Sequence, residues 1–412
     1  MAKTMRRRSA IVAMGSVALS SALVRPGQAK SYGPSVSDRE IKLGTSAPYS
    51  GPASGFGVYG QAQTAYFKMV NDQGGINGRK INLISLDNAY NPPKTLEVTR
   101  QLVESEIVLA IAGMLGTNPN TAVQKYLNTK KVPNLFLTSG GERFNDPKEY
   151  PWIVPLYPTY VAQGISFAKY VLSTNPRAKI AVLYLNDDLG KDFLRGLQLG
   201  LGAKGKDMIT KAASHELTDP TIETQIIDLK ATGADTLFQF TTPKFAAQGI
   251  RKVSDLGWKP VHFLSSVAAS IGATLIPAGV ERSIGILTAR WEKTPTDPDT
   301  ANDPDVKQYV EFARQYMPNL KLEDNTAVPG YINAFMIANV LKKCGDDLTR
   351  DNVLKQGTNL KPIQAPMHLP GILLSNSTTN YGAFHGMQLC RFDGTRWIGI
   401  GGMIDTDDLK QG

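Results

Sequence analysis

Two stretches in which short apolar runs alternate with helix-type spacing constrain this chain more than any other feature. In the first, strand patterns occur at Ile41–Leu43, Lys80–Asp87, Val108–Gly113 and Pro133–Leu137. Between them lie helix patterns from Gln61 (Ala62, Ala65, Tyr66, Met69), from Pro92 to about Glu104, and around Val123, Tyr126 and Leu127. Such alternation predicts a parallel sheet covered by helices on both faces. Right-handed crossovers then bring every strand's carboxyl end to one edge. Three polar tips recur on that edge: Tyr49-Ser50-Gly51, Gly116-Thr117-Asn118 and Thr138-Ser139-Gly140. Ligands of open α/β sheets sit outside such ends. The first tip lies in a Gly/Ser-rich loop running into a helix, which offers hydroxyls and unpaired N–H groups to an anion or polar ligand. It lacks the Gly-x-Gly-x-x-Gly spacing and the Lys-Ser/Thr ending of a nucleotide-binding loop.

The pattern restarts after Tyr157-Pro158-Thr159-Tyr160, which reads as a crossing into a second unit. Strand patterns follow at Lys179–Tyr184, Lys211–Ser214, Asp235–Phe240 and Val261–Leu264, with polar tips at Asn186–Gly190, Thr241-Thr242-Pro243 and Ser265-Ser266. A further strand is predicted over Ile284–Ala289, then a Pro/Asp-rich loop from Trp291 to Asp305. A loop of that length calls for a functional or structural reason. Helices are predicted at Asp305–Tyr316 and Tyr331–Leu341. The tail from Gly371 to Met403 is strand-like, with a turn at Asp393-Gly394-Thr395.

At 412 residues the chain is too long for one comfortable core, which favours two or three lobes. Residues 1–29 stand apart: Lys3, Arg6, Arg7 and Arg8 precede an apolar run from Ile11 to Val24, and Gly27-Gln28-Ala29 supplies small residues. This order predicts a secretory signal peptide cleaved after Ala29. Without it the basic excess shrinks from 45 against 36 to 40 against 36, with no cationic stripe interleaved with aromatics. Nucleic acid is therefore not an expected partner. Past residue 29 no run approaches the roughly 18 apolar residues of a membrane span. Cys344 and Cys390 are the only cysteines. An oxidising compartment permits a disulfide between them, and two separately buried thiols are the other reading. Neither has metal-ligand or redox spacing. The four histidines lie in different contexts, and Gly-x-Ser-x-Gly and His-Glu-x-x-His are absent. A binding protein without catalysis, metal or cofactor is expected. The alternative is a hydrolase using the Asp187-Asp188 pair, which also reads as a helix cap.

Leu43 to Pro52, with its Thr-Ser-Ala-Pro-Tyr-Ser-Gly-Pro run, resembles the first strand and loop of the branched-chain amino acid binding proteins, the periplasmic solute receptors of ABC importers. Asn71–Gly78 is similar to that family's Asn-x-x-Gly-Gly-Ile-x-Gly turn. Val132-Pro133, Tyr184–Lys191 and Arg391-Phe392-Asp393-Gly394 extend the resemblance over about residues 38–404. It implies an α/β, two-lobed periplasmic-binding-protein type I fold, each lobe a mostly parallel sheet covered by helices, with three crossings at the hinge and the ligand between the lobes. The expected division is 38–155 and 285–358 for lobe 1, and 156–284 and 359–408 for lobe 2. A periplasmic monomer delivering a small organic ligand to a membrane permease and ATPase follows, with a soluble ligand sensor as another reading.

Mapped by resemblance, the family's first-lobe contacts fall on Thr117, Ser139 and Gly140, and its second-lobe aromatic falls near Leu189. Its acidic partner for an α-ammonium belongs soon after Phe240, where Thr241–Ala246 holds a Lys and no acid. That absence favours a small carboxylate without an α-ammonium, an aromatic acid ahead of an aliphatic one. A branched-chain amino acid or amide is the runner-up, with Asp188 swinging in to receive an amine. Hydroxyls of Thr117 and Ser139 would hold the carboxylate, and Tyr49, Tyr157, Phe245 and Trp291 would flank its body. Ser50, Asn118, Thr241 and Ser265 complete the candidate tips.

Overall fold

A computed structural model describes residues 30–409. The predicted signal peptide lies outside the described residues. Two sheets organise the chain. The first has five parallel strands in the order Lys80–Asp87, Glu40–Ala47, Ile111–Ala112, Asn134–Leu137, Ile153–Pro155. The second has seven, in the order Trp397–Asp405, Gly386–Phe392, Leu287–Arg290, Val261–Leu264, Thr236–Phe240, Ile180–Leu185, Ile209–His215. Its two C-terminal strands run antiparallel to their neighbours and the rest are parallel.

Helices form where apolar residues recur every three or four positions and a local signal starts them. Gly57–Asp72 buries Ala62, Ala65, Tyr66 and Met69 and packs on Ala327–Cys344. Pro92–Arg100 begins with Pro at its first turn, and the Asn91 side chain accepts from Lys94 N–H. In the second lobe Thr159 and Asp187 cap Tyr160–Thr174 and Asp188–Leu201 in the same way. These two helices pack on each other over the sheet. Their Phe167 and Phe193 stack on each other and on Phe240 of the sheet, beside Phe238 and Phe263.

The chain crosses between the sheets three times: after Ile153–Pro155, after Leu287–Arg290, and before Gly386–Phe392. One expectation needs correction. Leu287–Arg290 pairs with Val261–Leu264 and Gly386–Phe392, so it belongs to the second sheet and not with a first-lobe segment beginning at 285. Of the two readings of the cysteines, separately buried thiols match the structure, and no disulfide joins them. Cys344 ends a helix packed against the first sheet while Cys390 lies in a strand of the second, and both thiols are free and buried. Burial pushes them up, to about 12 for Cys344 and about 11 for Cys390, which makes both inert.

The long segment after Trp291 is an anchored crossing. Lys293 Nζ lies 2.8 Å from both Asp303 and Asp305, and Asp305 also accepts from Met367 N–H at 2.8 Å. Leu369 N–H donates to the Trp291 carbonyl at 2.8 Å, and Lys293 N–H to that of Met367 at 2.7 Å. These bonds fix the backbone on both sides of Glu292.

Candidate functional site

A cavity of about 90 Å³ opens between the lobes at the carboxyl ends of both sheets. A buried water needs about 15 Å³ by the same measure, so the space suits a small organic molecule. Five aromatic rings stand in its wall: Phe56 and Tyr90 from the first lobe, Tyr157 and Tyr160 at the first crossing, Trp291 at the second. Tyr157 meets Trp291 edge-on, with ring centres 4.9 Å apart, and its hydroxyl lies 3.3 Å from Ser266 Oγ.

Backbone geometry aims these rings. Ala89 and Tyr90 hold φ of 51° and 56°, a left-handed conformation costing about 1–3 kcal/mol for non-glycine residues. Asn88 Oδ1 steadies it by accepting from Tyr90 N–H at 2.9 Å. Gly116, at φ 112°, lets the Tyr90 ring pass, because a Cβ there would lie 2.6 Å from it. Gly140 does the same for Tyr160, whose ring would be 2.6 Å from an added Cβ.

Charge enters this aromatic chamber at one place. Arg290 is 6 % exposed, and among the described residues its side chain donates one hydrogen bond, from Nη2 to the Glu292 carbonyl at 3.3 Å. Among the described residues no carboxylate forms an ion pair with it. Burial lowers its pKa from the ordinary arginine value, yet guanidinium remains a cation at any physiological pH. Glu292 lines the same cavity, and burial pushes its carboxyl up to about 7, offset in part by the Arg290 charge and the Trp291 indole.

Of the residues expected from sequence, Tyr157, Leu189 and Trp291 line the cavity. Thr117 and Ser139 meet each other instead, Oγ to Oγ at 2.8 Å, behind the Tyr160 hydroxyl. Their neighbours Gly116 and Thr138 are the ones that line it. Asn118 is half-buried beside them and outside the lining. Tyr49 bonds Ser85, and Ser50 donates to Asp87 at 2.6 Å, so both belong to the outer edge of the first sheet.

Thr241 and Phe245 enclose His215: its Nδ1 faces the Glu216 carbonyl at 3.0 Å and so carries the hydrogen, which leaves Nε2 to accept from Thr241 Oγ1 at 2.7 Å. Ser265 Oγ donates to the Thr241 carbonyl at 2.8 Å. These three residues hold the strand ends together away from the cavity.

Asp187 and Asp188 do not act as a pair. Asp187 Oδ1 accepts from Gly190 N–H at 3.2 Å, capping its helix, whereas Asp188 faces Arg143 at 3.0 Å. Asp188 is thus engaged where an amine would need it. No cluster among the described residues could hold a metal ion. The residues that sequence reasoning passed over are Phe56, Tyr90, Tyr160, Arg290 and Glu292. Arg290-Trp291-Glu292 was findable, since it is the polar tip of a second-sheet strand by the same rule that singled out the others.

Two sheets of α/β units, joined by three crossings and closing on an aromatic, charge-bearing cleft, define a two-lobed solute receptor. A sequence profile described as periplasmic binding protein matches residues 40–395, and the chain belongs to that family, among the proteins of the branched-chain amino acid binding type. Over 338 residues it is 23 % identical to the Leu/Ile/Val-binding protein homolog 7 of Brucella abortus, covering 79 % of this chain and 82 % of the relative. A Thermus thermophilus branched chain amino acid ABC transporter structure with bound valine superposes with a TM-score of 0.80 at 15 % identity, covering 91 % of this chain and 99 % of the other. A solute binding protein of an ABC transporter from R. palustris in complex with benzoate gives 0.73 at 17 %, covering 88 % and 96 %. No helix of the described residues is long and apolar enough to cross a membrane.

Proposed function

We propose that this chain is the extracytoplasmic receptor of an ABC importer and that it captures a small carboxylate, an aromatic acid ahead of an aliphatic one. Arg290 carries the reading. A buried guanidinium with no carboxylate in ion-pair contact is costly, by several kcal/mol, and a ligand carboxylate would supply two acceptors in the geometry that guanidinium matches. The rings of Tyr157, Tyr160 and Trp291 would cover an apolar body of the ligand. Benzoate, bound by the R. palustris relative of the fold, is a ligand of this type. In this reading the protein works as a monomer in the periplasm and hands its ligand to a permease and ATPase.

Glu292 favours a second reading, a branched-chain amino acid whose ammonium it would receive while Arg290 took the carboxylate. The two readings separate by pH. Glu292 loses its charge as pH falls through about 7, so an amino acid should bind more weakly at pH 5.5 than at pH 8, and a simple acid at least as well.

Calorimetry of ligand-free protein against benzoate, phenylacetate, hexanoate, leucine and valine is the test. An acid is expected to bind at micromolar or tighter Kd. Arg290→Gln should weaken it at least tenfold, because a hydrogen bond to a charged group is worth roughly 1.5–3 kcal/mol. Micromolar binding of leucine or valine, with none of any acid, would overturn the assignment.

A further inference from the structure

Behind Trp291 and Tyr157 the cleft continues into a chamber of about 10 Å³, which shares Thr138, Tyr157, Trp291, Glu292 and Pro329 with the main cavity and ends at His368. That volume sits at the lower limit for one buried water, so the chamber has room for a single non-hydrogen atom. His368 is 1 % exposed, and neither of its ring nitrogens has a hydrogen-bond partner. Native proteins rarely leave such atoms unpaired. Burial holds the ring neutral, with its pKa down at about 3, so one nitrogen offers a hydrogen and the other a lone pair.

Glu292 stands directly opposite His368 across an antiparallel bridge, which is why both side chains reach the chamber. The other polar groups there are already engaged. Thr138 Oγ1 pairs with the Tyr59 hydroxyl at 2.7 Å, and Asn333 donates to the Phe136 carbonyl at 2.6 Å while accepting from Gln63 at 3.1 Å.

We propose that Glu292 and His368 form a one-atom polar subsite at the back of the cleft, and that the ligand is a carboxylate bearing a hydroxyl remote from its carboxyl group. This rests on the carboxylate reading above and narrows it to hydroxy acids. A hydroxyl both donates and accepts, so it satisfies a neutral imidazole nitrogen and the Glu292 carboxyl together. It also reproduces the bonds of any water it displaces, whereas a methyl of similar size leaves the His368 nitrogen unpaired and gives the Glu292 carboxyl no further partner.

The test compares benzoate with its 3- and 4-hydroxy and 3- and 4-methyl derivatives by calorimetry on the whole mature protein. At the better-binding position the hydroxy acid is expected to bind at least tenfold tighter than the methyl acid. In His368→Phe and in Glu292→Gln, each checked for folding by circular dichroism, that preference should fall to within about threefold. The preference is a ratio measured within one protein, so a general loss of affinity does not imitate the result. If one variant fails to fold, the other and the wild-type ratio decide.

Equal binding of the hydroxy and methyl acids would overturn the subsite and leave the carboxylate reading intact. A preference unchanged in the folded variants would overturn the assignment to these two residues. Failure of every acid to bind would instead remove the carboxylate reading, and this inference with it.

Discussion

The carboxyl of Asp187 caps the helix Asp188–Leu201 through Oδ1, while its Oδ2 is buried without a partner. Burial pushes the group from 3.8 up to about 7. The folded protein therefore holds this proton more tightly than the unfolded chain. Its contribution to stability falls as pH rises from about 4 to about 7, and the full penalty remains above that. Asn caps as well as Asp, so Asp187→Asn keeps the helix start and removes the titration. Relative to wild type, the variant should gain on the order of 2 kcal/mol between pH 5 and pH 8. Urea denaturation at the two pH values reads this directly, and taking the difference between proteins cancels the parallel titration of Glu292. A gap that does not change with pH would show that Asp187 stays ionised in the fold. A second constellation shows how much geometry matters at this scale. Ser375 Oγ, His385 and Asp407 line up at 3.0 and 2.6 Å like a nucleophile, base and orienter. His385 Nε2, however, also faces the Ser375 carbonyl at 2.9 Å. A carbonyl only accepts, so that nitrogen carries the hydrogen and is not placed to take one from the serine.

Between Tyr160–Thr174 and Asp188–Leu201, glycines set the distance at which the elements meet. A Cβ on Gly196 would lie 2.3 Å from the Val161 carbonyl, and one on Gly164 would lie 2.5 Å from that of Phe193. Alanine at 196 would gain about 1 kcal/mol of helix propensity. The overpacking costs roughly 1–3 kcal/mol, and the obstacle is backbone that cannot rotate away. Gly196→Ala should thus lose up to about 2 kcal/mol, seen as a lowered denaturation midpoint with an unchanged denaturant slope. A gain in stability would mean that the two helices separate freely. Such contacts are invisible in sequence, where the three glycines of Asp188–Leu201 look only like weak helix formers. Elements carried by local pattern were legible. Lys80–Asp87 and Val261–Leu264 form as strands over the predicted residues, and Ala62, Ala65, Tyr66 and Met69 are buried on the helix that their spacing predicted. Elements decided by pairing were not. The apolar run Val108–Gly113 contributes only Ile111–Ala112 to the ladder, and Ile153–Pro155, too short to show a period, joins the first sheet. The site divides in the same way. Strand tips marked the edge of both sheets at which the cavity lies, but which tip residue faces it depends on backbone turns such as Gly116 and Tyr90. The contribution of Arg290 and Glu292 depends on which sheet receives Leu287–Arg290.

At the scale of the whole molecule, the lobes are also tied outside the cleft. Glu142–Phe144 in the first lobe faces Asp188–Leu201 in the second: Arg143 meets Asp188 at 3.0 Å, Glu142 N–H donates to Asp192 at 2.9 Å, and Arg195 lies 3.8 Å from Glu142. The same helix carries Leu189 into the cavity wall, so contacts that hold it against the first lobe also hold the cleft closed. A ligand bound between the lobes favours closure by its differential affinity for that state, and these charges add to the same equilibrium. Arg143 and Asp188 are both well exposed, and pairs of that kind contribute about 0.2–1 kcal/mol and weaken with salt. Arg143→Ala should therefore weaken ligand binding by no more than about fivefold in 50 mM salt, and the gap to wild type should nearly close in 500 mM. Calorimetry with the best-binding acid measures both, and scattering from the ligand-free protein should show a more open average shape for the variant. An affinity loss that persists at high salt would place the effect of Arg143 in the shape of the cleft itself. Tighter binding by the variant would mean that the charge cluster opposes closure.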